Sequence, residues 1–258
     1  WINAKNENLP PNRYKGIYRG KNLLILQVES LENFVIGQSV DGQEITPTLN
    51  KLLSNSLYFD NYYTQVNEGT SSDADLMTNT SVFPVRRGST FFRFPYTTYN
   101  SLPAIMAKHG YNTMAIHPDK GEYWNWMEAL ENMGFQRCID SRSFEMDEVI
   151  FLGLSDGSFF RQVKDTVINQ KTPFYTFMVT LSSHSPFEMP LRHQKLKLTG
   201  ELADSRLGGY FQSINYTDRC IGTFIDELDK SGVLDNTVLV IYGDHDSVHK
   251  YFYDEIQS

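Results

Sequence analysis

The sequence is short of what several common protein classes need. It has two cysteines, Cys138 and Cys220, far apart and without CxxC spacing. That rules out a thiolate zinc knuckle and a dense disulfide framework, and leaves either one disulfide or two buried free thiols. There is no run of about 20 apolar residues, so no stretch reads as a membrane span. Basic residues are in deficit: 23 Lys and Arg against 31 Asp and Glu give a net charge of −8. This argues against general nucleic-acid binding, which wants a basic face. It leaves an anionic substrate open, because a metal ion can supply local positive charge. No internal repeat, low-complexity block or signal peptide is visible, and no Met precedes Trp1. The chain reads as a segment of a longer protein.

What is present is apolar material for a sizeable core: 40% hydrophobic and 14% aromatic residues over 258 positions, enough for one large α/β domain or two small ones. Residues 1–21 are polar, contain Pro10-Pro11, and read as a linker or entry arm to a domain over 22–258. "NLLILQV" (22–28) is a continuous apolar run ending at Glu29-Ser30, the pattern of a buried parallel strand that opens into a polar loop. Pro47 after Thr46 predicts a helix over 46–56. "LYFDNYYTQ" (57–65) alternates as a strand does, and 70–81 reads as a helix. A helix over 101–110, a strand over 111–117, and helices over 123–134 and 155–170 follow. A strand over 173–181, a long amphipathic helix over 205–232 and a strand over 237–246 complete the reading. Strands alternating with helices predict an α/β fold with a mainly parallel central sheet and helices on both faces.

In such sheets ligands bind beyond the carboxyl ends of the strands. Glu29, His117, His184 and Asp244-His245 each fall at or just past such an end, so parallel strands would gather them on one edge. Glu29, Asp244 and His245 form a carboxylate, carboxylate, imidazole set suited to Mn²⁺, Mg²⁺ or Zn²⁺. "EGTSSDAD" (68–75) carries three adjacent hydroxyls. It can be a polar helix cap, or it can supply a nucleophile whose pKa a metal lowers. His117 and His184 can bind phosphate oxygens or donate a proton to a leaving alkoxide. Trp124 and Trp126 can line a sugar or glycerol pocket or sit in the core. Arg86 and Arg87 can meet an anionic head group or be a solvated pair.

With these pieces in order, the chain resembles the lipoteichoic acid synthase family, part of the wider alkaline phosphatase and sulfatase superfamily. The stretches that carry the resemblance are "QVESLENF" (27–34), "GQEITPTLNKLL" (42–53), "YFDNYYTQ" (58–65), "GTSSDAD" (69–75), "SLPAIMAKHGY" (101–111), "HPDKGEYWN" (117–125), "PFYTFMVTLSSHSPF" (173–187) and "LDNTVLVIYGDH" (234–245). The resemblance implies an extracellular catalytic domain tethered by an N-terminal transmembrane region. It implies Mn²⁺ held by Glu29, the nucleophilic hydroxyl, Asp244 and His245, with His184 on the substrate phosphate and His117 and Trp124 in the substrate pocket. The implied reaction moves glycerol phosphate from phosphatidylglycerol, an anionic phospholipid, to a growing glycerol-phosphate polymer through a phospho-enzyme.

Three departures from the family pattern bear on that reading. The family reads Gly-x-Thr-Ser-Asp around a threonine nucleophile. Here Gly69-Thr70-Ser71-Ser72-Asp73 puts Ser71 in the nucleophile slot, with Thr70 second. Trp126 stands where the pattern "W-N-R" places an arginine on the glycerol phosphate, and Arg86 or Arg87 is the candidate to replace it. The chain also stops soon after "GDH", so part of the sheet is expected to be missing at the C-terminal end. Other superfamily reactions stay open: phosphoethanolamine transfer, phosphodiester hydrolysis, or sulfate-ester hydrolysis. The last lacks its usual C/S-x-P-x-R motif, since Ser72, Asp73, Ala74 and Asp75 follow Ser71. A degenerate domain that only binds polymer is the non-enzymatic alternative.

Overall fold

The structure, a computed structural model, describes residues 12–251. The first eleven residues of the expected entry arm and the last seven of the chain lie outside the described residues. Strands among the described residues are β1 (Asn22–Val28), β2 (Ser39–Val40), β3 (Gln43–Glu44), β4 (Asn112–Ile116), β5 (Arg137–Ile139), β6 (Val149–Ile150), β7 (Gly153–Leu154), β8 (Phe174–Val179) and β9 (Thr237–Gly243). The helices are α1 (Pro47–Leu53), α2 (Thr70–Thr80), α3 (Thr90–Arg93), α4 (Leu102–Lys108), α5 (Trp126–Asn132), α6 (Asp156–Ile168), α7 (Arg206–Lys230) and α8 (Val248–Tyr251). Five strands form one sheet in the order β5-β4-β8-β1-β9. Every pairing in it is parallel. The expected α/β class with a parallel central sheet is what the chain adopts. The pairs β2-β3 and β6-β7 are small antiparallel hairpins.

Period-two alternation divides the sheet between two cores. Leu24, Leu26 and Val28 of β1 pack with Met114, Ile116 and Met178 under α1, α6 and α7. Ile25 packs with Ala115, Tyr175 and Phe177 under α2 and α5. Residue 27 and residue 29 therefore fall on the α2 side, and this assignment places the site. Cys138 and Cys220 are free thiols packed against different cores, and burial pushes both up to about 12.

Two expected elements differ. Residues 57–65 are exposed and form no strand. Their Tyr and Phe have strand propensity, but that propensity needs a partner and a half-buried face, and this segment has neither. The helix expected over 123–134 begins only at Trp126, because Trp124 and Asn125 adopt φ of +52° and +58° after a short 3₁₀ turn. Gly243 is required by packing: a Cβ there would lie 1.8 Å from the Leu31 carbonyl oxygen. β9 can thus close on the loop after β1 only with glycine just before Asp244.

Candidate active site

β1 and β9 run side by side in parallel, with Val28 opposite Gly243. Their next residues, Glu29 and Asp244, consequently emerge together at the carboxyl edge. Both are buried. One oxygen from each carboxylate and one nitrogen of His245 lie within 4.8 Å of one another. His245 Nε2 is 3.5 Å from Glu29 Oε1 and 3.5 Å from Asp244 Oδ2. The His245 ring is fixed by Nδ1, which donates to the Asp246 carbonyl at 3.0 Å, and this leaves Nε2 as the acceptor nitrogen facing the carboxylates.

The α2 helix lies along β1 on the same face. Positions four apart on the helix meet positions two apart on the strand. Ser71 Oγ donates to Glu29 Oε2 at 3.3 Å and sits 3.3 Å from His245 Nε2. One turn on, Asp75 Oδ1 accepts from Gln27 Nε2 at 2.8 Å. The inner face of α2 is therefore polar, with Ser72, Asp73, Asp75 and Asn79 buried. Of the two hydroxyls weighed for the nucleophile, Ser71 is the one aimed at the cluster. Thr70 opens the helix at φ +40° and lines the mouth of the cavity.

Two loops hold the carboxylates still. Ser30 donates from Oγ to Glu29 Oε1 at 2.7 Å and from its amide to Asp244 Oδ1 at 2.8 Å. Asp244 Oδ1 also accepts the His245 amide at 2.8 Å. Glu32 Oε1 accepts the amides of Ser247, Val248 and His249, tying the stretch after His245 to the loop after Glu29. The loop after β8 is pinned by Thr180, whose hydroxyl accepts the Glu29 amide, and by Ser183, whose hydroxyl donates to the Glu29 carbonyl at 2.6 Å. Buried Asp156 accepts from the amides of Leu181 and Ser182 and from the Thr217 hydroxyl. None of these supports stood out in the sequence. Ser30 and Ser183 do lie in the polar tails of predicted strands, which was the available signal.

The electrostatics describe a site short of positive charge. Burial, then the neighbouring Glu29 charge, pushes Asp244 up to about 7. Burial also pushes Glu29 up, but the imidazoles of His245 and His184 and the Ser30 hydroxyl outweigh it and hold that carboxyl below its usual value. Asp244 Oδ2 is buried with no hydrogen-bond partner. An orphaned carboxylate oxygen, a second carboxylate, an acceptor imidazole nitrogen and a hydroxyl, all converging, fit a hard divalent cation.

The cavity in front of this cluster is about 420 Å³ and is lined by Glu29, Ser30, Thr70, His184, Ser185, Arg206, His245 and Ser247. His184 Nδ1 lies 2.5 Å from the Ser185 carbonyl, so Nε2 is the nitrogen left for a ligand. A second cavity of equal volume, at the other end of the sheet between Asn112 and Lys171, has no carboxylate or imidazole in its wall.

The remaining sequence candidates fall elsewhere. His117 is buried behind the cluster, with Nε2 3.8 Å from Asp75 and Nδ1 3.8 Å from Asp119; burial lowers it to about 3. Trp126 corrects an expectation: it is 1% exposed, stacks on His117 at 3.9 Å, and donates from Nε1 to Asp119 at 3.0 Å. A ring so enclosed serves as core and presents nothing to the cavity. Trp124 is half-buried against the rings of Phe92 and Tyr123. Arg86 is exposed on a surface loop and is not part of the cavity wall. Arg206, a cation at the first turn of α7 that does line the cavity, went unremarked in the sequence.

Comparison with known proteins supports the family and the fold. A family model described as Sulfatase matches residues 21–257. Lipoteichoic acid synthase 1 of Bacillus subtilis is 35% identical over 245 residues, which is 93% of this chain and 38% of that protein. The crystal structure of a lipoteichoic acid synthase from Listeria monocytogenes superposes with a TM-score of 0.89 at 30% identity, covering 93% of this chain and 60% of that one. A Streptococcus pyogenes phosphoglycerol transferase, solved with sn-glycerol-1-phosphate, shares the fold at 18% identity and a TM-score of 0.66, over 89% of this chain and 62% of that one. The chain thus spans about two fifths of the length of the curated relatives it matches.

Proposed function

The chain belongs to the sulfatase family, and from that premise we propose that it is the catalytic core of a metal-dependent phosphoglycerol transferase of the lipoteichoic acid synthase kind. The observation that carries the reading is the placement of Ser71 Oγ, 3.3 Å from both Glu29 and His245, two residues that line a cavity together with Thr70, His184 and Arg206. Glu29, Ser71, Asp244 and His245 would hold the cation, Mn²⁺ by family resemblance, with Mg²⁺ or Zn²⁺ as alternatives. When bound, the cation supplies Lewis acidity to the phosphoryl oxygen and lowers the pKa of the serine hydroxyl.

The chain's own residues do the rest. Ser71 Oγ, as the alkoxide whose proton has gone to solvent, attacks phosphorus of the glycerol-phosphate diester; the bond to the diacylglycerol oxygen breaks, and His184 gives that oxygen its proton. A hydroxyl of the polymer acceptor then attacks the phosphorus of phospho-Ser71 and yields its proton to His184; the bond to Ser71 Oγ breaks, and Ser71 is released as the alkoxide that began the cycle. Arg206 supplies the cation that faces the head group, in the role the family pattern gives to an arginine at the Trp126 position. Trp124 and His117 shape the pocket, His117 from behind through Asp75 and Asp119. The donor is an anionic phospholipid head group, the acceptor a glycerol-phosphate polymer, and the site of action the outer face of the cell membrane. No helix among the described residues is long and apolar enough to cross a membrane.

The test pairs elemental analysis with turnover of a fluorescent phosphatidylglycerol in added Mn²⁺, for the wild type beside Ser71→Ala. Metal-dependent release of labelled diacylglycerol, absent in Ser71→Ala, is expected. Turnover undiminished in Ser71→Ala, or equal with chelator present, would overturn the reading.

A further inference from the structure

The chain carries a net charge of −8, yet between residue 76 and residue 118 it has no acidic residue at all. Within that stretch Arg86, Arg87 and Arg93 are all exposed. So are large rings that a soluble surface normally hides: Phe83 is 71% exposed, Phe92 57%, Phe94 46% and Tyr96 74%. The segment is ordered by its own contacts. The Thr90 hydroxyl accepts the Val85 amide at 3.1 Å, the Arg93 guanidinium donates to the Arg87 carbonyl at 3.1 Å, and it lies over the Phe94 ring, 5.3 Å from the centroid.

The ridge is also fastened to the catalytic helix. Ser89 and Ser72 share a hydrogen bond at 3.0 Å, one residue from Ser71. The Gly88 amide donates to Glu68 at 2.7 Å, and the Phe92 ring lies against Trp124.

We infer that the ridge formed by residues 83–96 is a docking surface for an anionic lipid bilayer, seating the mouth of the catalytic cavity at the membrane interface. Charge complementarity selects the occupant. Three exposed cations against the single carboxylate of Glu68, which is bound to the Gly88 amide, fit an anionic surface, and exposed phenylalanines gain only from a medium with an apolar layer beneath its charges. A glycerol-phosphate polymer has the charge but no such layer. The inference deepens the proposed reading and rests on it for its purpose, since a lipid donor must be taken from a bilayer.

The experiment is flotation of the chain with phosphatidylcholine vesicles, with and without phosphatidylserine, an anionic lipid outside the proposed donor class. Wild-type binding to the anionic vesicles is expected. The triple variant Phe83→Ser, Phe94→Ser, Tyr96→Ser should lose at least about tenfold of it. Arg86→Gln with Arg87→Gln should lose about fivefold per charge on anionic vesicles and nothing on neutral ones. An equal melting temperature, checked for each variant, shows that the fold is intact.

Turnover of monomeric short-chain phosphatidylglycerol should be unchanged in the triple variant, and Ser71→Ala should bind vesicles as the wild type does. Triple-variant binding equal to wild type would overturn the docking surface. So would attachment seen only with phosphatidylglycerol and lost on Ser71→Ala, or retention on a glycerol-phosphate polymer with no vesicle binding. Absence of turnover on the monomeric lipid, with vesicle binding intact, would overturn the catalytic reading instead.

Discussion

Lowering the pH from 7 to 5 should weaken divalent-cation binding about 100-fold. The reasoning begins with Asp244, which burial and the Glu29 charge raise to about 7. Below that pH the buried pair keeps one proton that a cation must displace, so affinity falls about tenfold per pH unit, or about 3 kcal/mol over two units. The same pair sets the stability of the cation-free chain. The unfolded chain releases the Asp244 proton near 3.8, whereas the folded one retains it to about 7. Stability therefore falls as pH rises from about 4 to 7, by up to about 4 kcal/mol. Glu29 acts in the opposite sense, its depressed value giving stability that is lost as pH drops through the acid range. Calorimetric titration with Mn²⁺ from pH 5 to 8, beside thermal melts with and without the ion, reads both effects. The melting-temperature gain on adding the ion should grow with pH, and Asp244→Asn should bind weakly with a flatter profile. Affinity that stays level between pH 5 and 7, or wild-type affinity in Asp244→Asn, would refute the reasoning.

Other perturbations separate chemistry from architecture. Ser71→Ala should abolish phospho-enzyme labelling and Thr70→Ala should leave labelling in place; label that persists in Ser71→Ala would move the nucleophile to Thr70. Trp126→Ala should cost about 3–5 kcal/mol in urea unfolding, the range for removing a fully enclosed ring, and a loss under 1 kcal/mol would mean the ring is not core. Gly243→Ala forces a Cβ to within 1.8 Å of the Leu31 carbonyl oxygen, so both carboxylate loops should shift, with loss of cation binding and a lower melting temperature. An unchanged titration would show that the loops tolerate the movement.

The central sheet was legible because β1 and β8 are continuous apolar runs, buried along nearly their whole length. β1 and β9 each give way to a carboxylate, Glu29 and Asp244, buried at the carboxyl edge. Once parallel pairing is assumed, Glu29 and Asp244 follow. What the sequence does not display is depth. His117 and His184 look alike as histidines after strands, yet one is enclosed by Trp126 and two carboxylates and the other lines the cavity. The same holds for tryptophan: Trp124 and Trp126 are two residues apart, but the positive φ angles at Trp124 and Asn125 turn one ring out and the other in. Residues 57–65 misled because aromatic alternation is a property of side chains, whereas a strand also needs a neighbour's backbone.

Ser30 and Asp244, hydrogen-bonded at the heart of the site, are 214 positions apart in the chain. A cation held between Glu29 and Asp244 would act as a reversible staple closing a loop of almost the entire domain. Its largest effect would fall on an unfolded chain that otherwise roams freely. Among the described residues β9 lies at the border of the sheet, with β1 as its neighbour, so peeling β9 away would break the staple first. Release of the ion should therefore track detachment of that one strand, and a chelator should lower the protection of β9 amides against hydrogen exchange well before it touches β8.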